Sequence, residues 1–304
     1  MLAPFGLRRA RGGLAGSTVA GLEVEALLAE GGVGEVYRAR EPNGALVAMK
    51  VLQSRHLADA GMVSRFQREV TFMRRVDHPY VASVRAAGYL DDGRPWYTTA
   101  LERGPTLGAL VRAHGRLPLL RALDIACDVL RGLEAVHAAG IVHRDIQPDN
   151  VLLGAAGARL IDFGFAHDEG VDTGDGVTPD SPGALVGTLR FMSPEQATRA
   201  RALTVRSDLF SVALLLYYAL TGRSPFRARA ETDVLVALVR SAPVPVRRER
   251  RDAPEALERV LSRALAKHPD ARFAGAREMR AALLDVASAL RGAATSTAAP
   301  EAQG

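Results

Sequence analysis

Apolar residues gather in three short runs near the start of the chain, at residues 22–29, 35–40 and 45–52, and these runs read as strands. Glycines separate the first two runs, and Pro42-Asn43-Gly44 is a turn signal between the second and third. Over residues 62–76 the pattern changes. Met62, Val63, Phe66, Val70 and Met73 recur at helical spacing, and His78-Pro79 ends the helix. Two more strands are predicted at 81–89 and 96–101. From Gly104 onward the pattern is helical. Residues 119–139 form a long amphipathic stretch through Leu120, Leu123, Ala126, Cys127, Leu130, Leu133 and His137. Further helices are predicted over 205–221, 232–240, 254–266 and 274–290, and the apolar run 212–220 reads as a buried helix. Residues 165–190 are rich in Gly, Asp and Thr with little periodicity, and read as a mobile segment. The pattern therefore predicts an α+β, bilobal fold. A small β-rich lobe spans 21–100 and a larger helical lobe spans 104–290. A loose Gly/Ala/Arg-rich start (1–20) and an Ala/Thr/Pro-rich tail (291–304), expected to be disordered, flank them.

The length of 304 residues, with 48% hydrophobic and 24% charged positions, suits two lobes with separate cores. A single cysteine, Cys127, excludes an internal disulfide and any CxxC metal site, and suits a reducing cytosol. No apolar run reaches the roughly 18 residues of a membrane span. The start, with Arg8, Arg9 and Arg11, lacks a signal-peptide core, so a cytoplasmic location is expected. The net charge is +5, but of 39 Lys and Arg only Lys50 and Lys267 are lysine. Dominance of Arg, Ala and Gly is what a GC-rich, bacterial genome produces. The basic charge is then compositional: the clusters at 8–11 and 247–251 read as solvated surface, and no nucleic-acid partner is expected. The same bias singles out the lysine kept in Val47-Ala48-Met49-Lys50. His56, His114, His167 and His268 are isolated and read as surface residues, and Cys127 as a core residue.

Two polar stretches between apolar runs carry the chemistry: Ile141-Val-His-Arg-Asp-Ile-Gln-Pro-Asp-Asn150 and Ile161-Asp-Phe-Gly164. Two acids and an amide held close together can bind Mg²⁺ and accept a proton from a hydroxyl. Together these stretches resemble the catalytic centre of a protein kinase, whose signature is H-R-D-L-x-x-x-N followed by D-F-G. Leu28-Ala-Glu-Gly-Gly-Val-Gly-Glu-Val36 resembles the kinase glycine-rich loop, with Gly31, Gly34 and Val36 in place and Ala29 where the first glycine stands. The resemblance runs across residues 20–290 to the eukaryotic-like bacterial Ser/Thr kinases.

That resemblance implies roles. Lys50 would pair the α- and β-phosphates of ATP and be held by a helix glutamate, Glu69. Asp145 would be the base, and Asn150 and Asp162 would hold Mg²⁺. Ala29, Gly31, Gly34, Val36 and Ala48 would line the nucleotide, with Thr99 behind the adenine and Ala100 and Glu102 binding it. His143 reads as a packed core residue. Arg144 resembles the arginine that reads an activation-loop phosphate, with Thr173, Thr178 and Ser181 as phosphorylation sites. Gly187-Thr188 and Ser193-Pro-Glu195 resemble the ends of a protein-kinase activation segment, Asp208 the acid bracing the catalytic loop, and Arg272 the partner of Glu195. Protein substrates are implied, with the chain a monomer or transient dimer. Besides Ala29, another position departs: kinases of this class carry lysine where Gln147 stands. Losing a bond from a charged donor there costs roughly ten- to one-hundredfold in rate, part of which a glutamine donor retains. The expected function is phosphorylation of Ser/Thr hydroxyls on proteins. A pseudokinase, motivated by Gln147 and Ala29, is the alternative.

Overall fold

The computed structural model describes residues 13–169, 189–198, 203–227 and 231–297. Six strands form one antiparallel sheet: β1 (Thr18–Val19), β2 (Leu22–Glu30), β3 (Gly34–Arg40), β4 (Leu46–Leu52), β5 (Val84–Tyr89) and β6 (Pro95–Ala100), in the order β1-β2-β3-β4-β6-β5. The three strand-like runs are thus β2, β3 and β4. Gly44, at φ +85°, makes the turn that Pro42-Asn43-Gly44 signals. The period of two divides the sheet between two cores. Val47, Met49 and Val51 pack with Leu22, Val24, Tyr37, Ala39 and Trp96 on one face. The opposite face carries Lys50, with Val36 directly across from it on β3 and Tyr97 across from it on β6; Ala48 faces Thr99 one step along.

Helix α1 (Ala60–Arg74) starts at Asp59, whose carboxylate accepts from the N–H groups of Gly61 and Met62 at 2.9 and 3.2 Å. Its buried stripe is Met62, Phe66, Glu69, Phe72 and Met73. A glutamate therefore sits within a row of apolar residues and faces the sheet.

The remaining helices are α2 (Leu107–His114), α3 (Leu119–Ala138), α4 (Pro194–Ala197), α5 (Val205–Thr221), α6 (Glu231–Arg240), α7 (Val246–Glu249), α8 (Glu255–Ala264) and α9 (Ala276–Thr297). Helix α5 is buried on nearly every side, and forms the centre of the largest core with α3, α8 and α9. Four short strands frame the polar loops: β7 (Ile141–Val142) pairs with β10 (His167–Asp168), and β8 (Val151–Gly154) pairs with β9 (Gly157–Leu160). The two lobes join at residues 101–104. There a Cβ on Gly104 would lie 1.8 Å from the Leu153 carbonyl oxygen, so only glycine fits.

Several expectations need correction. Residues 13–20 are ordered: Leu14 N–H reaches the Tyr37 hydroxyl, and β1 extends the sheet. Helix α9 runs seven residues into the tail expected to be disordered, because alanine favours helix and Arg291 pairs with Asp124 at 2.6 Å. His167 is buried within β10, and His56 reaches Gly32. Arg250, within the cluster read as surface, is buried and donates to the Leu117 and Leu220 carbonyls. His143 and Cys127 are in the core as expected. Thr173, Thr178, Ser181, Gly187 and Thr188 lie outside the described residues.

Candidate active site

Strand β4, helix α1 and the loop after β9 converge on one lysine. Lys50 Nζ donates to Glu69 Oε1 at 2.7 Å and to Asp162 Oδ2 at 3.0 Å. Glu69 also accepts from the Tyr97 hydroxyl at 2.7 Å, which is possible because the sheet register puts Tyr97 opposite Lys50. Burial opposes the ammonium, but the charges of Asp162 and Glu69 outweigh it and hold Lys50 well above its ordinary pKa. Burial likewise pushes Glu69 up, reinforced by Asp162 and countered by Lys50. At Asp162 the balance goes the other way: burial is overcome by Lys50 and by the Gly164 N–H, 2.8 Å from Oδ1, and the carboxyl lies below its usual range.

The loop between β7 and β8 presents the second acid. Asp145 Oδ2 accepts from Asn150 Nδ2 at 2.7 Å, and the same amide nitrogen donates to the Asp145 carbonyl at 3.0 Å. Both bonds come from nitrogen, which turns the Asn150 oxygen away from Asp145. Gln147 Nε2 lies 3.0 and 3.1 Å from the two oxygens of Asp145. Burial, with the nearby charge of Asp162, pushes Asp145 up to about 7 against these hydrogen bonds.

Asp208, near the N-terminus of α5, shapes this loop from beneath. Its Oδ2 accepts from the His143 N–H at 2.9 Å and its Oδ1 from the Arg144 N–H at 2.8 Å, while His137 Nε2 sits 2.8 Å from Oδ2. Arg144 is held at φ +65°, a conformation costly for a side-chain-bearing residue, and the paired bonds over-determine it. Gln196 Nε2 adds a bond to the Arg144 carbonyl at 2.7 Å. His143 is packed against Phe163 with ring centroids 4.6 Å apart.

Residues 22–283 match the Pkinase family, the protein kinase domain. The chain belongs to the protein kinase family. It is 36% identical over 268 residues to serine/threonine-protein kinase pkn3 of Myxococcus xanthus, covering 86% of this chain and 49% of that protein. To serine/threonine-protein kinase PknB of Mycolicibacterium smegmatis it is 35% identical over 269 residues, covering 87% and 42%. Among solved structures, the PknI kinase domain of Mycobacterium tuberculosis superposes with a TM-score of 0.68 at 28% identity, covering 90% of this chain and 98% of that one. The fold is thus the bilobal α+β kinase fold, of the eukaryotic-like bacterial Ser/Thr type, and the chain spans about half the length of the curated relatives it matches.

The other residues expected in the kinase site lie on β2, β3, β4, the end of β6 and the connections beside them. Ala29 pairs with Val36 where β2 and β3 meet the glycine loop, and Gly31 N–H closes that loop on the Gly34 carbonyl at 2.9 Å. A Cβ on Gly34 would lie 3.0 Å from the Val51 carbonyl oxygen, a close approach that glycine permits. Thr99 and Ala100 end β6 at the junction between lobes, and the Glu102 carboxylate pairs with Arg159 of β9. Behind the catalytic loop, Arg272 makes a forked pair with Glu195 at 2.7 and 2.9 Å. Arg272 is completely buried, and its remaining N–H groups donate to the carbonyls of Arg206, Ala266 and Lys267.

Sequence reasoning missed Arg65, a residue of α1. Its Nε donates to the Gly164 carbonyl at 2.7 Å and its guanidinium lies 3.5 Å from the centre of the Phe165 ring. It stands one helical turn before Glu69, and that spacing was the available signal. Tyr97, the second donor to Glu69, was also missed. It lies two residues before Thr99, and so on the same face of β6.

Proposed function

We propose that this kinase domain transfers the γ-phosphoryl group of ATP to Ser or Thr hydroxyls of protein substrates, acting in the cytoplasm. The observation that carries this reading is the partly buried Lys50 bridging Glu69 and Asp162, with Asn150 bonded to Asp145 on the neighbouring loop. Lys50 orients the α- and β-phosphates, and Glu69 and Tyr97 keep it in place. The inner sheet face, with Val36 and Ala48, packs on adenine beside Thr99, Ala100 and Glu102, and Ala29, Gly31 and Gly34 cover the phosphates. Asp145 accepts the hydroxyl proton, for which a pKa near 7 suits a base working at neutral pH. Gln147 orients the Asp145 carboxylate and reaches toward the transferred group.

The donor set suits Mg²⁺. Asp162 offers a carboxylate, and Asn150, committed through its nitrogen to Asp145, offers an amide oxygen. Among the described residues no cluster of three or more His, Cys, Asp and Glu groups is present. When bound, the cation neutralises charge on the phosphates.

The test is transfer from γ-labelled ATP, with Mg²⁺, to a generic Ser/Thr acceptor and to the chain itself. Asp145→Asn and Lys50→Met serve as controls. Incorporation that both variants abolish supports the reading, and no incorporation by the wild type would sink it. Among the described residues no helix is long and apolar enough to cross a membrane.

A further inference from the structure

The connection that follows β4 makes four hydrogen bonds to the glycine loop. Gln53 N–H donates to the Val33 carbonyl at 3.0 Å, and the buried Gln53 side chain donates through Nε2 to Glu30 at 3.1 Å. A single helical turn (Ser54–His56) then brings two further side chains back over the tip. Arg55 Nη2 donates to the Gly32 carbonyl at 2.8 Å, and His56 Nε2 lies 2.8 Å from the same oxygen. Arg55 Nε is also 3.1 Å from His56 Nε2, so the imidazole donates to Gly32 in one tautomer and accepts from Arg55 in the other. Either way the arginine–carbonyl bond stands and the histidine reinforces it. A Cβ placed on Gly32 would meet nothing within 4 Å, so at Gly32 itself these polar bonds act without packing, while Val33 beside it packs against the core.

We propose that Arg55 and His56 are positioning residues for the nucleotide phosphates: they strap the tip of the glycine loop at Gly32 so that the loop is set before the nucleotide arrives. This rests on the reading of the cleft as an ATP site. Two adjacent glycines, Gly31 and Gly32, have the widest backbone freedom in any chain, and ordering them on binding costs affinity. A strap already made in the free protein removes part of that cost, which is preorganisation of a binding loop. Donating to the carbonyl also leaves the neighbouring backbone N–H groups free of competition from these side chains. The effect is confined to the phosphate end: neither residue is on the inner sheet face where Ala48 and Thr99 lie.

The experiment uses the full chain as wild type and as the double variant Arg55→Ala, His56→Ala. Two quantities are measured: amide hydrogen exchange of the peptide over 28–36 in the free protein, and calorimetric affinity for Mg²⁺-ADP and for adenosine. An α5 peptide that exchanges as in the wild type reports an intact fold. The proposal expects loop exchange to rise about tenfold and ADP affinity to fall roughly five- to twentyfold, with adenosine affinity unchanged. Unchanged loop exchange overturns the strap. Faster exchange with unchanged ADP affinity, or equal losses for ADP and adenosine, overturns its link to the phosphates. A wild type that binds neither ligand overturns the ATP-site reading and the phosphate link with it, while the exchange result still decides whether the strap exists.

Discussion

Replacing Gln147 by lysine should make this kinase faster. In the structure the Gln147 amide nitrogen lies 3.0 and 3.1 Å from the two Asp145 oxygens, so the position already touches the proposed base through a neutral donor. A hydrogen bond from a neutral donor contributes about 0.5–1.5 kcal/mol and one involving a charge about 1.5–3 kcal/mol. The gain from Gln147→Lys is then about 1–1.5 kcal/mol in the transition state, or roughly five- to tenfold in kcat. The backbone at Gln147 is extended, and a lysine ammonium reaches about 1.5 Å farther than the glutamine nitrogen, enough to span from Asp145 toward the transferred phosphoryl group. Its charge also opposes the burial that pushes Asp145 up to about 7. Gln147→Ala removes both contacts and should lower kcat by about tenfold. The assay is steady-state transfer from labelled ATP at saturating Mg²⁺, with kcat and KM for ATP separated. The expected signature is a change in kcat with KM for ATP nearly constant, because the contact is made at the transferred group. A lysine variant no faster than wild type, together with an alanine variant as fast as wild type, refutes the placement of residue 147 at the reacting centre.

Three further outcomes follow from buried charges. Lys50→Met leaves Glu69 and Asp162 without their shared cation, so transfer should be lost and stability should fall by about 3–5 kcal/mol in urea unfolding; a drop below about 1 kcal/mol contradicts the bridge. Arg272→Met strands Glu195 in the same way, at about 3–5 kcal/mol near pH 7. Burial alone raises Glu195, but the Arg272 bonds and charge hold its folded pKa below the ordinary value, so the pair's contribution is complete above the unfolded pKa near 4.3 and is lost as pH falls through the folded one. The gap between wild type and variant should therefore narrow in acid, and a pH-independent gap refutes the assignment. Asp208→Asn puts an amide nitrogen against a backbone or imidazole donor beneath the catalytic loop, which should cost about 2–3 kcal/mol in unfolding and lower kcat; unaltered stability contradicts the brace.

The large elements were legible because their apolar runs are long enough to read. Strands β2, β3 and β4 follow from short apolar runs between turn signals, and helices α1, α3 and α5 from longer apolar stretches. Strands β7 to β10 have only two to four residues each, too short for any period to show, yet they set where the catalytic loop enters and leaves. Helix α2 was passed over although Thr106 caps its start and Gly115 its end, because eight residues give a weak stripe. Asp145, Asn150 and Asp162 were singled out by the resemblance of their stretches to kinase motifs and Lys50 by the scarcity of lysine, and the structure brings Lys50 to 3.0 Å from Asp162 and Asn150 to 2.7 Å from Asp145. The bonds of Arg55 and His56 to Gly32 join positions 23 and 24 residues apart around a strand, so no local pattern announces them.

One apolar core runs through this site, with Phe66, Met73 and Tyr97 of the sheet lobe packed with Val136, Ile141 and Phe163 of the helical lobe, and charges add to that contact at the reacting centre. Lys50 and Glu69 stand on the sheet lobe, whereas Asp162 follows β9 of the helical lobe. Separating the lobes would leave Asp162 with only the Gly164 N–H among the partners described here, and would expose Lys50 to half its neutralising charge. The Arg65 bond to the Gly164 carbonyl breaks in the same movement, and with it the stacking on Phe165. Separation also lets water reach both charges, so what is lost is one charge-assisted bond and one ring contact, and the bridge adds to the apolar contact that closes the cleft. The expected consequence is specific: Asp162→Asn should loosen the contact between lobes, seen as faster exchange at Gly164 and along α1, while the α3–α5 core keeps its protection. Equal loosening of that core would mean the charges support the whole fold rather than the closure of the cleft.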